Sequence, residues 1–314
     1  LCSFWPNSEE PINFSHKENQ FSCLPSMLKE QYGYETFLFH SDYKEFWDRD
    51  ILSPKWGFDN LYFVPYYEVK QDDISVFSDA IDTLAEREDP FFAYLISFST
   101  HGPHNESMYE YNYWVNDLDL KPYEGDLDPE IDSIQITEKE TRDYLGFTLA
   151  TDKALEVMIE KMKDNGMLEN TIILIYNDHK YYNFSGDDLQ AWELTNESPF
   201  VMILPNNIKA KIQQVASHVD IAPTILNLIE QDDYEARDHF VGQSLFEPNF
   251  ANQVFNKCLG EVYYMNENIN IRGNAKAALY QIFDKNKKIT KIEGQTWLNL
   301  VKDLVETSDK TIYG

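Results

Sequence analysis

Apolar residues along the chain fall into short continuous runs that alternate with stretches of helical spacing. The continuous runs predict β-strands at Glu35 to Asp42, Phe91 to Ser99, Thr171 to Tyr176 and Pro199 to Pro205. The helical spacing predicts helices over Gln20 to Tyr32, Asp72 to Glu88, Glu138 to Met162 and His218 to Glu230. Strands that are apolar throughout and alternate with helices indicate a parallel sheet covered on both faces, so the chain is predicted to be α/β.

The pattern changes after Gly242. The stretches "GEVYYMNENINIRG" and "AALYQIFD" predict antiparallel strands, and Thr296 to Val305 predicts a last helix. We therefore expect one large domain over residues 1–249 and a small C-terminal sheet-and-helix subdomain over 250–314. The acidic and aromatic stretch from Asn105 to Thr137 lacks a period and is predicted to be a long surface excursion.

Several predicted strands end in residues that can carry chemistry. The pairs, in chain order, are His40 with Asp42, His101 with His104, and Asp178 with His179. In open α/β sheets ligands bind beyond the carboxyl ends of the strands, where the loops converge. The sequence therefore predicts a site at these three strand ends.

Each pair also has a plainer interpretation. Asp178 and His179 on a turn offer an oxygen and a nitrogen to Zn²⁺ or Mn²⁺, but Asp178 could instead cap the turn beside an ordinary surface His179. The histidines of "STHGPH" could be incidental to a Gly-Pro turn. His40 and Asp42 could equally be a satisfied loop pair.

Two further places are candidates for anion binding. In "FWDRD" Trp47 stands beside Arg49, and an aromatic wall next to a guanidinium suits a phosphate ester with an organic tail, although a structural Arg-Asp pair explains Arg49 nearly as well. His218 precedes a predicted helix N-terminus, a place that favours anions, but a capping role is the simpler expectation. Asp220 is predicted to be the N-cap of that helix.

The net charge limits the possible partners, and the cysteine content limits the possible disulfides. The formal net charge of −28 disfavours binding to nucleic acid. Three cysteines are too few and too scattered to predict a disulfide framework, and Cys23 is expected to be a helix core residue. No run approaches the roughly 18 apolar residues of a membrane span. Because the chain begins with Leu1 rather than Met, we expect it to be a piece of a longer protein, whose missing part could carry an anchor or a signal.

Taken in order, several of these pieces resemble the lipoteichoic acid synthase family, the phosphoglycerol transferases of the alkaline phosphatase and sulfatase superfamily. The pieces include "SFWP", "SCLPSMLKEQYGYETFLFHSDYKEFWDRD", "PFFAYLISFSTHGPH", "TIILIYNDH", "HVDIAPTILNLI" and "GQSLF". They cover most of Ser3 to Phe246, and the H-x-D-x-K-x-F-W-x-R-D run is the most specific. The tail resembles that family's small C-terminal sheet and helix.

The resemblance implies a sandwich with a largely parallel central sheet and one divalent metal, usually Mn²⁺, with Zn²⁺ or Mg²⁺ as alternatives. Asp178 and His179 match two metal ligands, and His101 matches the histidine that assists at the reacting phosphate. Four further residues match positions around the glycerol phosphate: His40, Asp42, Trp47 and Arg49. The family's Glu ligand and Thr nucleophile are expected upstream of this chain, which alone is then expected to be inactive.

The implied reaction transfers phosphoglycerol from a phosphatidylglycerol-like lipid to a glycolipid or a glycerol-phosphate polymer, on the extracellular face of the cell membrane. Asn177, Lys180 and Thr100 depart from the family's usual residues and leave donor and acceptor open. A sulfatase or phosphodiesterase of the same superfamily is the first alternative, and a noncatalytic fragment or binding module is the second. "SCLPSML" is similar to the sulfatase C-x-P-S-R motif, but Met27 stands where Arg belongs.

Overall fold

A computed structural model describes the chain at residues 1–3, 12–15, 17–19, 21–64, 72–102, 104, 121–127, 137–179, 197–205, 211–230, 240–258, 261–274, 279–284 and 296–306. The chain divides into two compact units. The first, called the parallel-sheet unit, comprises Phe37–Phe46 and Asn60–Ala210. The second, called the antiparallel-sheet unit, comprises Leu1–Thr36, Trp47–Asp59 and Lys211–Gly314. The predicted domain boundary near residue 250 stays a prediction.

The described helices are α1 (Ile12–Ser15), α2 (Leu24–Tyr32), α3 (Arg49–Lys55), α4 (Asp73–Ala85), α5 (Glu138–Asp164), α6 (Ile221–Glu230) and α7 (296–306). The described strands are β1 (Glu35–Tyr43), β2 (Asn60–Val64), β3 (Phe91–Ile96), β4 (Ile173–Tyr176), β5 (Phe200–Ile203), β6 (Gln253–Cys258), β7 (Glu261–Asn266), β8 (Ile269–Asn274) and β9 (Leu279–Asp284). The helices and strands predicted from the apolar pattern are confirmed, with ends that differ by a few residues. The strands β2 and β6 and the helices α1 and α3 were not predicted.

The parallel-sheet unit is built on strands β2, β1 and β3, in that spatial order. β1 and β2 run parallel, with Phe37 opposite Asn60, and the register shifts between His40 and Tyr43. Helices α4 and α5 pack on this sheet through a buried apolar cluster. Its members include Phe37, Phe39, Val76, Phe77, Ile81, Ala154, Met158, Met162 and Ile173. This burial supplies the main driving force for docking the two helices, and it leaves the strand ends free to carry polar groups.

Local sequence fixes both ends of the long helix α5. Thr137 accepts from the Glu140 N–H while the Glu140 carboxylate accepts from the Thr137 N–H, which is a capping box. At the other end Gly166 has φ +69°, and the Met167 N–H donates to the Met162 carbonyl at 2.8 Å. A glycine with a left-handed backbone lets the N–H groups that follow a helix donate to its last carbonyls. The helix α5 therefore ends here, and the chain turns toward β4.

Strands β4 and β5 depart from the expected parallel arrangement. They pair antiparallel, with Ile173 opposite Ile203 and Tyr176 opposite Phe200. Among the described residues they form a two-stranded sheet of their own. An apolar run indicates a buried strand but carries no information on its direction. The fold is the expected α/β arrangement with this one exception among the described strands.

The antiparallel-sheet unit contains the four-stranded sheet β6-β7-β8-β9, in which neighbours along the chain pair antiparallel. α7 packs on one face, where Trp297 lies 5.6 Å from Tyr264 between ring centroids and Val301 is fully buried. The prediction of a C-terminal sheet crossed by a helix is confirmed.

One expectation in this unit holds in part and another was wrong. Cys23 is fully buried, as expected of a core residue, but it is the N-cap of α2 and forms a disulfide with Cys2, because the first residues of the chain lie beside the start of that helix. Asp220 does not cap α6. Its carboxylate accepts from the backbone N–H groups of Ser217 and Gln243, both at 2.9 Å, and so fastens two loops together.

Of the predicted surface excursion at 105–137, residues 105–120 and 128–136 lie outside the described residues, as does Lys180. None of the helices that the structure describes has the length and hydropathy required to cross a bilayer.

Candidate functional site

The end of β1 carries His40 and Asp42, and both side chains are buried. His40 Nδ1 donates to the backbone carbonyl of Ile96, at 3.1 Å, which ties this strand end to the end of β3. Asp42 accepts from the backbone N–H of Tyr43 at 2.7 Å. These bonds hold the two side chains in place where the register of β1 shifts.

The end of β3 carries His101, which is exposed. Its ring stacks on Phe98 with 4.9 Å between centroids and 9° between planes, and Phe46 meets it edge-on at 6.0 Å. Nδ1 donates to the carbonyl of Gly102 at 2.8 Å. Because Nδ1 carries the proton in that bond, Nε2 is the acceptor nitrogen of the neutral ring. The imidazole is therefore oriented by stacking and by its tautomer.

His104 lies between the end of β3 and helix α5. Its Nε2 donates to the carbonyl of Thr100 at 3.1 Å, and its ring contacts Tyr144 at 5.5 Å and Phe147 at 5.1 Å between centroids. Burial lowers the pKa of His104, against the opposing effects of the Thr100 hydrogen bond and the Asp143 charge. These contacts give His104 a supporting role for the turn that carries His101.

The end of β4 carries Asp178 and His179. The His179 N–H donates to Asp178 Oδ1 at 2.8 Å, and His179 Nε2 lies 3.4 Å from Asp178 Oδ2. Both side chains are open to solvent, with 77% and 63% of their surfaces exposed. Asn177 donates its amide to the His179 carbonyl at 3.0 Å, which stabilises the turn. The two side chains thus face each other rather than pointing apart.

Two tyrosines of the parallel-sheet unit, Tyr144 on α5 and Tyr176 on β4, have raised pKa values. Burial raises the pKa of Tyr144 and the Asp178 charge raises it further, while the same ring contacts His104. Burial likewise raises the pKa of Tyr176, with contributions from a hydrogen bond to Tyr94 on β3 and from the Asp178 charge. Tyr176 on β4 and Tyr94 on β3 are therefore joined by a side-chain hydrogen bond.

The donor set of Asp178 and His179 fits a divalent ion. Two ligand atoms that each lie about 2.1 Å from a tetrahedral ion are about 3.4 Å apart, which matches the separation of Oδ2 and Nε2. Their exposure leaves room for further ligands. Within the described part of the chain, no three His, Cys, Asp or Glu side chains are grouped closely enough to hold a metal. Asp178 and His179 could therefore hold a metal only as two ligands of a larger set.

Three predicted site residues belong to the antiparallel-sheet unit. Trp47 and Asp48 both have left-handed backbones, with φ of 59° and 50°, and Trp47 is 46% exposed and contacts Phe14 at 6.3 Å. Such conformations cost about 1–3 kcal/mol for residues other than glycine and tend to occur at functional sites. Arg49 begins α3, and His218 is exposed in a 3₁₀ turn at His218–Asp220. The roles of Trp47, Arg49 and His218 stay predictions.

One residue that the sequence did not single out lies beneath this site. Asp73 is 1% exposed and accepts from the Ser41 hydroxyl and from the backbone N–H groups of Phe98 and Ser99, each at 2.7 Å. In the sequence it follows the N-cap Asp72, so it resembles an ordinary acidic residue of a first helical turn. Only the fold reveals its contacts with two strand ends.

Comparison with known proteins identifies the family. The sulfatase family matches residues 3–231, so the chain belongs to that family. Lipoteichoic acid synthases from Staphylococcus saprophyticus and Staphylococcus aureus are 27% and 26% identical over 235 and 230 residues, which are 68% and 67% of this chain. Both alignments cover 33% of the relative, so the chain spans about a third of the length of these curated proteins.

Solved structures show the same fold. The lipoteichoic acid synthase LtaP from Listeria monocytogenes matches with a TM-score of 0.77 at 20% identity, over 100% of this chain and 78% of that one. A protein of the alkaline phosphatase superfamily from Vibrio parahaemolyticus matches with a TM-score of 0.70 at 17% identity, over 99% and 73%. The expected resemblance to lipoteichoic acid synthases and the expected fold class are confirmed.

Proposed function

We propose that the protein containing this chain is a metal-dependent phosphoglycerol transferase. Its donor is a phosphatidylglycerol-like lipid, and its acceptor is a glycolipid or a glycerol-phosphate polymer of the cell envelope. The similarity to lipoteichoic acid synthases supports this reaction class. Because the chain spans about a third of those relatives, the activity is proposed for the whole protein.

The observation that carries the proposal is the pairing of Asp178 Oδ2 with His179 Nε2 at 3.4 Å, exposed at the end of β4. A carboxylate oxygen and an imidazole nitrogen at this separation suit Mn²⁺ or Zn²⁺, and Mg²⁺ is the third candidate. When bound there, a divalent ion supplies Lewis acidity that lowers the pKa of a hydroxyl nucleophile and neutralises phosphate oxygens.

The chain's own residues then have separate tasks. Asp178 and His179 hold the metal. His101, with its Nδ1 proton fixed on the Gly102 carbonyl, directs Nε2 to a phosphate oxygen or to a proton in transfer. Around the glycerol phosphate, Arg49 binds the phosphate by charge-assisted hydrogen bonds and Trp47 forms a wall, while the buried His40 and Asp42 fix the end of β1 that borders it.

We further propose that this part of the protein acts on the extracellular face of the cell membrane. The Cys2–Cys23 disulfide supports that location, because such bonds persist in oxidising compartments and are rare in the cytosol. The same bond argues against a sulfatase mechanism at Cys23, since a bonded sulfur is not open to conversion into a nucleophile. The net charge of −28 disfavours nucleic acid as a partner.

Release of diacylglycerol from phosphatidylglycerol vesicles by the whole protein with Mn²⁺ tests the proposal. Asp178→Ala is expected to lower the rate about 100-fold or more and to weaken Mn²⁺ binding measured by calorimetry. His101→Ala is expected to lower kcat about 10²-fold while Mn²⁺ binding stays unchanged. Asp82→Ala is the matched control, because Asp82 is an exposed carboxylate of the same unit that pairs with Lys161. Full activity and full Mn²⁺ binding in Asp178→Ala would contradict the proposal.

Product analysis separates the transferase from a hydrolase of the same family. With a glycolipid acceptor present, a transferase attaches phosphoglycerol to the acceptor, whereas a phosphodiesterase releases free glycerol phosphate regardless of acceptor. A sulfatase would instead release sulfate from an aryl sulfate. A noncatalytic binding module would show no turnover with any of these substrates.

A further inference from the structure

Asp73 is a buried carboxylate whose contacts lead away from its own helix. It is the first residue of α4, at 1% exposure, and its neighbour Asp72 already caps that helix by accepting from the Ser75 N–H at 2.9 Å and the Ser75 hydroxyl at 2.7 Å. The helix therefore has its cap without Asp73. The second carboxylate is available for another purpose.

Its hydrogen bonds join two strand ends. Oδ1 accepts from the Ser41 hydroxyl on β1 and from the Phe98 N–H just after β3, and Oδ2 accepts from the Ser99 N–H, all at 2.7 Å. All three distances are those of short, well-formed hydrogen bonds. Ser41 lies between His40 and Asp42, so the carboxylate couples both strand ends that bear predicted site residues.

The contacts continue from Asp73 to the imidazole of His101. Phe98 is held by Asp73 at its N–H, and its carbonyl accepts from the His101 N–H at 2.9 Å. The Phe98 ring is also the surface on which the His101 ring stacks, at 4.9 Å. Any displacement of the Phe98 backbone therefore moves both the hydrogen bond and the stacking that orient His101.

We propose that Asp73 is a positioning residue that sets the location of the His101 imidazole, by clamping Phe98 and Ser99 onto the end of β1. The part of this inference that concerns catalysis rests on the proposed function, in which His101 acts at the reacting phosphate. A displacement of about 1 Å at such a group can cost about 10²-fold in rate.

An ionised acid suits this clamp better than an amide. Burial raises the pKa of the Asp73 carboxyl, and the hydrogen bonds from Ser99, Ser41 and Phe98 only partly oppose this rise. All the backbone partners are donors, so an amide at this position would turn its own NH₂ group toward one of them. Asp73→Asn should lose the bond to the Ser99 N–H or to the Phe98 N–H and release the turn. It should not unfold the protein, because it also removes the need to bury a charge.

The experiment compares Asp73→Asn with Asp72→Asn in the whole protein. Both variants remove one buried carboxylate at adjacent positions, and Asn at position 72 remains a good N-cap. For Asp73→Asn we expect kcat on phosphatidylglycerol vesicles to fall about 10–100-fold with KM changed less than about twofold. Asp72→Asn should retain both constants, and the two variants should have similar melting temperatures.

A spectroscopic measurement tests the placement of His101 without relying on activity. In protein labelled at histidine, the His101 ring protons are shifted by the ring current of Phe98, and the His101→Ala spectrum identifies them. Asp73→Asn should move these resonances, and Asp72→Asn should not. Unmoved resonances in Asp73→Asn, or equal changes in both variants, would overturn the inference. If His101→Ala stays fully active while the resonances move, the proposed function fails and the positioning stands.

Ser41→Ala provides a second test that keeps the carboxylate. It removes the hydroxyl that holds Asp73 on β1 and leaves the two backbone hydrogen bonds in place. We expect a smaller displacement of the His101 resonances and a loss in kcat of a few-fold. If Asp73→Asn does not fold, an unchanged spectrum and unchanged kcat in Ser41→Ala would overturn the inference.

Discussion

The buried imidazole of His104 is expected to make the free energy of unfolding depend on pH. Because burial lowers its pKa below the ordinary value of 6.5, the unfolded chain takes up a proton before the folded chain does as the pH falls. The stabilisation is therefore complete above about pH 6.5 and is lost progressively as the pH falls toward the lower pKa of the folded state.

Two substitutions at this residue test that prediction. His104→Phe keeps an aromatic ring against Tyr144 and Phe147, and His104→Asn keeps a donor for the Thr100 carbonyl; neither variant titrates. Between about pH 7.5 and about pH 5.5 the free energy of unfolding, measured in urea, should fall less in both variants than in the original protein. Equal pH dependence in all three proteins would show that His104 is not the group responsible.

Residue types at the strand ends were predictable, but their individual contacts were not. His101 and Asp178 follow apolar runs, and the rule that ligands bind beyond the carboxyl ends of strands led to them directly. Asp73 could not be found in this way because its partners Phe98 and Ser99 are 25 and 26 residues away along the chain. The pairing of Cys2 with Cys23 was missed for the same reason, since spacing alone does not determine which cysteines meet.

At the scale of elements, Gly57 allows α3 to approach the start of α2. It has φ +102°, and a methyl group at this position would lie 2.5 Å from Ser26 Cα. The Ser26 N–H donates to the neighbouring Trp56 carbonyl at 3.2 Å, and Thr36 donates to the Gly57 carbonyl at 2.8 Å. The approach of the two backbones thus requires a residue without a side chain.

Gly57→Ala should therefore destabilise the protein by about 3 kcal/mol or more, the sum of backbone strain and overpacking. Gly33→Ala is the matched control. Gly33 also has a left-handed backbone, with φ +71°, but an added methyl would meet nothing within 4 Å. It should cost about 1 kcal/mol, for strain alone. Urea unfolding of both variants measures the difference, and equal losses would refute the steric part of this explanation.

Periodicity predicted element types well and directions poorly. The helices α4 and α5 have apolar faces and explicit caps, so their sequences specify both existence and limits. β5 was recognised as a strand, yet its antiparallel pairing with β4 depends on how the chain returns from Tyr176 to Phe200. A run of four apolar residues fits either direction equally, so the pairing could come only from the tertiary structure.

At the scale of the whole molecule, the net charge of −28 opposes the proposed substrate. A phosphatidylglycerol surface is anionic, so long-range repulsion should slow the approach of this chain, whereas under the proposed function Arg49 and a bound cation would attract phosphate only at short range. The Debye length is about 30 Å at 0.01 M salt and about 10 Å at 0.1 M. Added salt therefore screens the distant repulsion more than the contacts within the site.

This difference in range predicts an unusual salt dependence for the whole protein. The apparent KM for phosphatidylglycerol in mixed micelles should fall several-fold as salt rises from about 0.01 M to about 0.15 M, while kcat changes little. A matched series with a zwitterionic detergent and with an anionic one varies the surface charge, and the effect should be larger in the anionic micelles. A KM that rises with salt in both series would mean that a local positive surface around the phosphate outweighs the total charge. Acidic residues would then have to lie far from the path by which the lipid enters.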